Sequence, residues 1–264
     1  MNEKTQADWD ACSDKYFGKE GEEYRITLEK IVESPQRAFP REVWEMLGEA
    51  FPDLTGKKVL VPSCGDSYAV YAFHLLGADV TAADLSGQQI KNARRRAESM
   101  GWDIPFVQAD SMTLEGLPDD TYNLVYTSNG AHVWISDLGM MYRNFQRVLK
   151  PGGRYIFFEV HPFNRPFEDG KRVKIIKPYT QLRKSELEYH WRVEDFMRAL
   201  LGAGFKVEDF RELMPHEDDF TGHMWHYSSY KEREKDKFAK YDWHKNPLAA
   251  LPAWLAMRAT INEK

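Results

Sequence analysis

The chain has little of what marks secreted or membrane-spanning proteins. It has two cysteines, Cys12 and Cys64, in 264 residues, too few for a disulfide framework, so a reducing cytoplasm is the natural compartment. No uncharged apolar run approaches the roughly 18 residues needed to cross a bilayer, and the polar, acidic N-terminal stretch does not resemble a signal peptide. We therefore expect a soluble, cytoplasmic protein with no membrane partner.

An excess of positive charge is also absent. The chain carries 36 Lys and Arg against 41 Asp and Glu, a net charge of −5, which is not the electrostatic footprint of a nucleic-acid-binding protein. Its length and its 42% hydrophobic content suffice to bury one full core. The composition predicts one globular unit that binds no nucleic acid, and it leaves open whether that unit is a monomer or a homodimer.

Short apolar runs alternate with stretches of helical spacing between residues 57 and 160. The runs of strand character are KVLVP, DVTAADLS, PFVQADS, YNLVYTSN and RYIFFEV. Strands that alternate with helices predict βαβ units. The expected fold class is therefore α/β, with a Rossmann-like, doubly wound and mainly parallel sheet covered on both faces.

The flanking regions are less regular. Residues 1–54 have helical spacing of apolar residues, interrupted by Pro35 and Pro40, and we expect them to form an N-terminal helical cap before a domain over residues 55–264. The segment ELEYHWRVEDFMRALLGAGFKVEDFREL predicts a strand, a helix and a strand, and LPAWLAMRATI predicts a last strand. Residues 215–246, which are polar and rich in His and Lys, are typical of an insertion.

The turn PSCGDS after the first strand has one glycine where nucleotide-binding turns usually have three. Gly65 allows a ligand to approach the backbone closely, and Ser63 is small and offers a hydroxyl group. Asp66 places an anion where a phosphate would lie, which argues against a dinucleotide oxidoreductase and for a ligand without phosphates. Taken alone, the turn also fits an ordinary strand-to-helix connection.

Two acidic residues at strand ends strengthen the ligand hypothesis. Asp84 ends the second strand about 20 residues after Gly65, the spacing at which a carboxylate accepts hydrogen bonds from a ribose diol. Asp110 ends the third strand, where Asp110 and Ser111 suit an adenine edge and Met112 suits the ring face. The alternative for Asp110 is an ordinary cap at a strand end.

Five segments together resemble class I S-adenosylmethionine-dependent methyltransferases in order and spacing. They are VLVPSCGDS, VTAADLS, FVQADSM, YNLVYTSNGAHVWISD and LKPGGRYIFFE. YHWRVEDFMRALLGAGFKVEDF and LPAWLAMRA are similar to the helix and the reversed final strands of that fold. The resemblance implies a reversed last strand and S-adenosylmethionine as the cofactor, whose methyl group is transferred to an acceptor by in-line displacement.

The resemblance also implies which residues bind this cofactor. They are Ser63, Cys64, Gly65, Asp84, Leu85, Asp110, Ser111, Met112, Thr127 and Ser128. We expect a small-molecule acceptor that offers an oxygen, nitrogen or carbon nucleophile on an aromatic or heterocyclic ring. Two rivals stay open: an RNA methyltransferase, and a pseudoenzyme that binds S-adenosylmethionine without catalysis.

The chain departs from the family pattern in the first strand. Val61 stands where the family has an acid that contacts the ammonium group of the cofactor, and the strand-four acid is Asn123. Asp66, or a residue of the N-terminal helices, is a candidate replacement.

Histidines follow the fourth and fifth strands, where the family builds its acceptor pocket. His132 and His161 are the candidate general bases, because imidazole titrates near neutral pH, and His190 beside Trp191 is a weaker candidate. For each, the alternative is a loop histidine without a catalytic role.

Two aromatic segments flank this predicted pocket. In the N-terminal region, aromatic residues suit a lid over the cofactor, core packing or a dimer contact: Trp9, Tyr16, Phe17 and Tyr24. In residues 215–246, His216, His223 and His226 match no standard zinc spacing, and we expect no metal site. An aromatic cap over the acceptor or a surface loop fits this segment better.

Overall fold

The computed structural model describes residues 2–17, 27–66, 68–167, 174–215 and 241–261. His216, His223 and His226 lie outside these ranges, and so does Tyr24. The hypotheses about the histidine-rich segment therefore stay predictions. None of the helices in the described ranges is long and apolar enough to cross a membrane.

Seven helices and seven strands are named here within the described ranges. The helices are α1 (Asn2–Phe17), α2 (Leu28–Glu33), α3 (Arg41–Ala50), α4 (Ala69–Leu75), α5 (Gly87–Ser99), α6 (Leu138–Val148) and α7 (Val193–Gly202). The strands are β1 (Lys58–Val61), β2 (Asp79–Asp84), β3 (Phe106–Gln108), β4 (Tyr122–Thr127), β5 (Leu149–Val160), β6 (Phe205–Leu213) and β7 (Trp254–Ile261).

The strands form one sheet in the order β3-β2-β1-β4-β5-β7-β6. β1 pairs in parallel with both β2 and β4, and β5 continues the parallel part. β7 is inserted antiparallel between β5 and β6. The prediction of a doubly wound, mainly parallel sheet with a reversed last strand is confirmed. The strand order reverses between β1 and β4, and ligands of such sheets bind outside the carboxyl ends of the strands at this point.

Both faces of the sheet are covered. Side chains alternate along β1, so Val59 and Val61 pack towards α3, α4 and α5 while Leu60 packs towards the opposite face. On that opposite face, α6 and α7 bury Phe145 and Phe196 against the sheet. Two apolar layers therefore hold the strand ends in place.

The strand expected at the start of ELEYHWR is wrong. Residues 183 and 189 form only an isolated antiparallel bridge, and the Tyr189 amide donates to the Val133 carbonyl at 2.8 Å. The Trp191 indole nitrogen donates to the carbonyls of His132 and Ile135. Since β7 pairs with β5 and with β6, this segment packs instead on the connection between β4 and α6.

Candidate functional site

The turn after β1 is left-handed at two positions. Ser63 has a φ of 51° and Gly65 a φ of 46°; glycine adopts this conformation freely, whereas for serine it is uncommon and costs about 1 kcal/mol or more. The Cys64 amide donates to the Ala83 carbonyl at 2.9 Å, which fastens the turn to β2. Among the described atoms, none outside the neighbouring residues lies within 4 Å of a Cβ built on Gly65. The turn therefore presents bare backbone to open space.

The Asp84 carboxylate lies beside this turn at the end of β2. Its Oδ2 accepts from the Gly65 amide and its Oδ1 from the Ser86 amide, both at 2.9 Å. Asp84 is 9% exposed, and burial, with smaller contributions from Asp10 and Asp66, raises the pKa of its carboxyl despite the two amide donors. Each oxygen retains acceptor capacity, so the carboxylate is able to accept from two further hydroxyl groups.

The segment after β3 is joined to the same turn. Ser63 Oγ lies 2.7 Å from Ser111 Oγ. Asp110 Oδ1 accepts from the Met112 amide at 2.9 Å, and Asn144 Nδ2 donates to the Met112 carbonyl at 2.7 Å. These bonds set a polar pair and a buried thioether beside the ends of β1 and β2.

Helix α1 lies over the connection between β2 and α5. Asp10 Oδ1 accepts from the Ser86 hydroxyl at 2.5 Å and from the Gln88 amide at 3.1 Å. Burial alone would raise the pKa of Asp10, but these donors hold it below its ordinary value. Within the connection, the Leu85 carbonyl accepts from Gln108 Nε2 at 3.1 Å. A negative charge from the N-terminal helix is thereby held at the first turn of α5.

The other face of α1 reaches the segment after β4. The Trp9 ring stands edge-on to the Trp134 ring, with centroids 5.4 Å apart and an interplanar angle of 82°. Lys4 Nζ lies 2.6 Å from the Glu186 carboxylate. α1 therefore spans from the start of α5 to the segment that follows β4.

These features fit an adenosine-containing cofactor. The Asp84 carboxylate has spare acceptor capacity for a ribose, the bare backbone at Gly65 leaves room for close approach, and Ser111 with Met112 offers a polar and an apolar contact for a base. The fit therefore depends on the hydrogen-bonding groups of these residues and on the open backbone of the turn.

A second group of polar side chains is buried between the sheet and the helices α6 and α7. Thr127 Oγ1 lies 2.7 Å from the Tyr155 hydroxyl, which lies 3.2 Å from His132 Nε2. Three rings pack around the imidazole: Tyr142, Phe157 and Phe196. The predicted residues Thr127 and His132 therefore belong to one buried network.

Glu159 anchors this network. The carboxylate is 2% exposed, accepts from the amides of Gly130 and Val160, and lies 3.4 Å from both His132 Nδ1 and Arg165 Nη2. Burial alone would raise the pKa of Glu159, but the His132 ring, the Arg165 charge and the amide donors hold it below its ordinary value. A buried carboxylate thus ties the connection after β4 to the end of β5.

His161 lies apart from His132, at the end of β5. Its Nδ1 accepts from the Phe163 amide at 3.2 Å, so Nε2 carries the proton and donates to Glu212 Oε1 at 3.0 Å. Burial lowers the pKa of His161 more than the Glu212 carboxylate raises it. His161 is fully buried, and both of its nitrogens are engaged.

The structure thus separates the predicted site residues into groups. Most of the predicted cofactor residues share the ends of β1, β2 and β3: Ser63, Cys64, Gly65, Asp84, Leu85, Asp110, Ser111 and Met112. Cys64 contributes backbone there, because its side chain is buried in the core and burial raises the pKa of the thiol well above its ordinary value. Ser128 is half-buried at the end of β4.

Sequence reasoning missed Asp10, Glu159 and Arg165. Glu159 had a signal, since it is the one acid inside the apolar run RYIFFEV. Asp10 had none, because its partner Ser86 is 76 residues away along the chain. As for the acid missing at Val61, Asp66 in the turn has an exposed side chain, and both Asp66 and a residue of the N-terminal helices stay candidates.

Comparisons with known proteins agree with this architecture. Residues 59–153 match the family model of a methyltransferase domain. The chain is 29% identical over 184 residues to the S-adenosyl-L-methionine-dependent Diels-Alderase iliD of Neonectria sp. (strain DH2), covering 67% of this chain and 69% of that protein. It is 31% identical over 103 residues to the demethylmenaquinone methyltransferase of Thermus thermophilus, covering 39% and 46%.

A solved structure shares the fold. The S-adenosylmethionine-dependent methyltransferase from Mesorhizobium loti aligns with a TM-score of 0.61 and 24% identity, over 82% of this chain and 96% of that one. The chain spans only about half the length of seven other curated relatives, among them the Thermus protein.

Proposed function

The chain belongs to the class I S-adenosylmethionine-dependent methyltransferases, and we propose that it transfers the methyl group of S-adenosylmethionine to a small-molecule acceptor. The observation that carries the proposal is the hydrogen bond between the Gly65 amide and the Asp84 carboxylate at the point where the strand order reverses. Such a point is where doubly wound sheets bind their ligands.

The cofactor would supply a methyl group already activated by a sulfonium centre. The part of this chain is to bind and orient. Asp84 would accept from the ribose hydroxyls, Ser111 and Met112 would contact the adenine, and the backbone at Gly65 would admit the ligand closely. Their mutual hydrogen bonds hold these groups in one arrangement before binding, which lowers the cost of ordering them.

We further propose that α1 is the lid of this site. Its contacts with Ser86 on one side and Trp134 on the other support a helix that spans the edge where the cofactor would lie. A lid excludes water and completes the acceptor pocket.

The acceptor in this proposal is an aromatic or heterocyclic small molecule. Trp134 follows β4 and is half-buried, and so is Trp191, whose ring stacks on the buried Tyr189 at 5.3 Å beside the same segment, so parts of two indole rings are exposed beyond β4. The Thermus relative is named for demethylmenaquinone, a quinone. The acidic balance of the chain favours such an acceptor over RNA.

His132 and His161 remain the candidate bases, with different prospects. His132 is linked to Tyr155 and lies against Glu159, an arrangement that supports an orienting role for its ring. His161 already donates to Glu212. Replacement of each by Gln, with a pH–rate profile, distinguishes the roles: loss of a base removes one limb of the profile, whereas loss of orientation lowers the rate at every pH.

Calorimetric titration with S-adenosylmethionine and S-adenosylhomocysteine tests the proposal first. We expect both to bind with micromolar dissociation constants, about −8 kcal/mol. Incubation with methyl-labelled S-adenosylmethionine and a panel of phenols, quinones, heterocycles, polyenes and RNA should then yield a labelled small-molecule product and an equal amount of S-adenosylhomocysteine. Absence of binding by both cofactor forms would falsify the proposal, and RNA as the only labelled product would contradict the small-molecule part.

A second candidate function is ring closure without methyl transfer. One observation favours it: the Neonectria relative is named a Diels-Alderase that depends on S-adenosylmethionine. The same incubation separates the two, because a cyclase would leave the cofactor intact while a polyene substrate is consumed.

A further inference from the structure

The carboxylate of Glu159 is a buried charge that the proposed binding of the cofactor does not use. Glu159 lies near the end of β5, with its side chain on the same face of the sheet as Tyr155 and Phe157. Its partners are four residues, none of which is a predicted cofactor residue: Gly130, His132, Val160 and Arg165. Removing an ionised carboxylate from water is costly, so this group calls for an explanation.

The Glu159 carboxylate holds the backbone of Gly130. The Gly130 amide donates to both carboxylate oxygens, at 3.1 Å and 3.0 Å. Gly130 has a φ of 85°, a left-handed conformation that glycine adopts freely and other residues adopt rarely. The bend of the chain after β4 is therefore fixed by the conformation of Gly130 and by an ionised acceptor on β5.

The same carboxylate orients the imidazole ring of His132. Nδ1 of this ring lies 3.4 Å from Glu159 Oε2, and no other group in the described ranges is hydrogen-bonded to it. Because a carboxylate can only accept, Nδ1 of the neutral ring carries the proton, and Nε2 accepts from the Tyr155 hydroxyl at 3.2 Å. The Glu159 charge thus determines which way the ring faces.

A one-turn 3-10 helix, His132–Trp134, connects this segment to α1. The Trp134 amide donates to the Ala131 carbonyl at 3.1 Å, which closes the turn. The Trp134 ring stands edge-on to the Trp9 ring of α1, with centroids 5.4 Å apart. Contacts therefore run without a break from the Glu159 carboxylate, through this turn, to α1.

We propose that Glu159 is a positioning residue of the lid: it fixes residues 130–134 so that the indole of Trp134 packs against α1, and it thereby slows the release of S-adenosylhomocysteine. The inference rests on the proposed function, because the lid is the one proposed there. Glu159 is 2% exposed, so it acts through Trp134 and not by contact with a ligand. Hydrogen bonds to an ionised acceptor are about twice as strong as neutral ones, which explains a carboxylate at this position.

Glu159→Gln is the variant that tests the charge. It preserves the volume of the side chain and replaces one acceptor oxygen by an amide nitrogen that can only donate. Both oxygens of Glu159 face donors: Oε1 accepts from the Gly130 and Val160 amides, and Oε2 accepts from the Gly130 amide beside His132. The new nitrogen therefore meets an N–H group in either orientation, and the segment loses its anchor.

Stopped-flow measurement of S-adenosylhomocysteine release from the full chain tests the proposal. We expect Glu159→Gln to release it at least about fivefold faster than wild type, with hydrogen exchange at the Gly130 amide at least about tenfold faster. Glu208→Gln is the matched control, because Glu208 is paired with Arg154 and Arg258 towards the other end of β5. Its release rate should stay within about twofold of wild type.

A double-mutant cycle with Trp134→Ala separates positioning from a general loss of stability. If Glu159 acts through Trp134, Trp134→Ala speeds release by itself, and Glu159→Gln adds less than about twofold in that background. Two effects that multiply would overturn the proposal. So would an unchanged rate in Glu159→Gln beside a faster rate in Trp134→Ala.

Gly130→Ala alters the same segment without changing the core. Among the described atoms, none outside the neighbouring residues lies within 4 Å of a Cβ at this position, so the effect comes from strain at a φ of 85°. We expect release at least about threefold faster, and only while Trp134 is present; an unchanged rate would overturn the proposal even if Glu159→Gln does not fold. Failure of the wild type to bind S-adenosylhomocysteine, or an unchanged rate in Trp134→Ala, would instead remove the proposed function or its lid, and this inference with it.

Discussion

The Gly65 amide donates to Asp84 Oδ2 at 2.9 Å, so the turn after β1 and the end of β2 hold each other in place. One carboxylate oxygen shapes the backbone of the turn, and the other accepts from the Ser86 amide. Asp84 therefore helps to form the turn, and in the proposed function it also binds the cofactor, so its replacement tests both.

Asp84→Ala should weaken binding of S-adenosylmethionine at least tenfold, about 1.4 kcal/mol, because both ribose hydroxyls lose their acceptor. Gly65→Val should weaken it by a similar factor, since a β-branched residue is strained at a φ of 46° and fills the open space over the turn. Calorimetry measures both. Asp79→Ala, at the exposed opposite end of β2, is the control, and equal affinity of a folded Asp84→Ala protein would show that the ribose lies elsewhere.

At Ser63, replacement by glycine should give a more stable protein than replacement by alanine, which is the reverse of the usual order. Ser63→Ala keeps the left-handed strain and loses the bond to Ser111, whereas Ser63→Gly loses the same bond but relieves the strain. We expect Ser63→Gly to be the more stable variant, by about 1 kcal/mol in the free energy of unfolding measured by urea denaturation. At Ser99, the last residue of α5, alanine should be more stable than glycine, and the same order at both positions would contradict the strain.

Removing the contacts that hold α1 in place should speed the release of the bound cofactor product without abolishing its binding. Trp9→Ala removes the edge-on contact with Trp134, and Asp10→Ala removes the acceptor for Ser86 and Gln88. We expect the double variant to release S-adenosylhomocysteine at least tenfold faster in stopped-flow measurements, because the lid no longer covers it. Asp8→Ala, an exposed residue of the same helix, serves as the control; an unchanged release rate in the double variant would show that α1 is a structural helix only.

His190 should make the protein sensitive to acid. Burial and, after it, the charges of Arg165, Lys177 and Lys184 lower its folded pKa to about 3, below the ordinary value near 6.5, so the unfolded chain takes up a proton at mildly acidic pH that the folded chain does not. The contribution of the neutral ring to the free energy of unfolding is fully present above pH 6.5. It is lost as the pH falls, by roughly 2 kcal/mol between pH 6.5 and 5.

Urea denaturation across this pH range measures the effect. His190→Gln should flatten the fall in the free energy of unfolding by that amount, whereas His74→Gln, a partly exposed residue of α4, should not. An identical pH dependence of wild type and His190→Gln would mean that the ring takes up its proton over the same pH range in the folded and in the unfolded protein.

Local pattern was enough to predict the central sheet. The runs that become β1 to β5 are short and apolar between helical stretches, and the spacing from Gly65 to Asp84 follows from one strand, one helix and one strand of ordinary length. The strand predicted at residues 186–192 does not form. Periodicity indicates which residues are buried, but it does not indicate which part of the protein they are buried against. Tyr189 and Trp191 pack against the connection after β4, which no local pattern reveals.

The amino-acid order determined which segments form strands and helices and which acids stand at the strand ends, since these follow from local pattern. The juxtapositions that give the site its character depend on distant contacts: Asp10 meets Ser86 across 76 residues, and Lys4 meets Glu186 across 182. Whether a polar residue is buried, and beside which charge, is settled when packed layers bring remote segments together. For that reason local pattern in the sequence points to the cofactor, and only the fold shows which polar and charged partners surround each residue of the site.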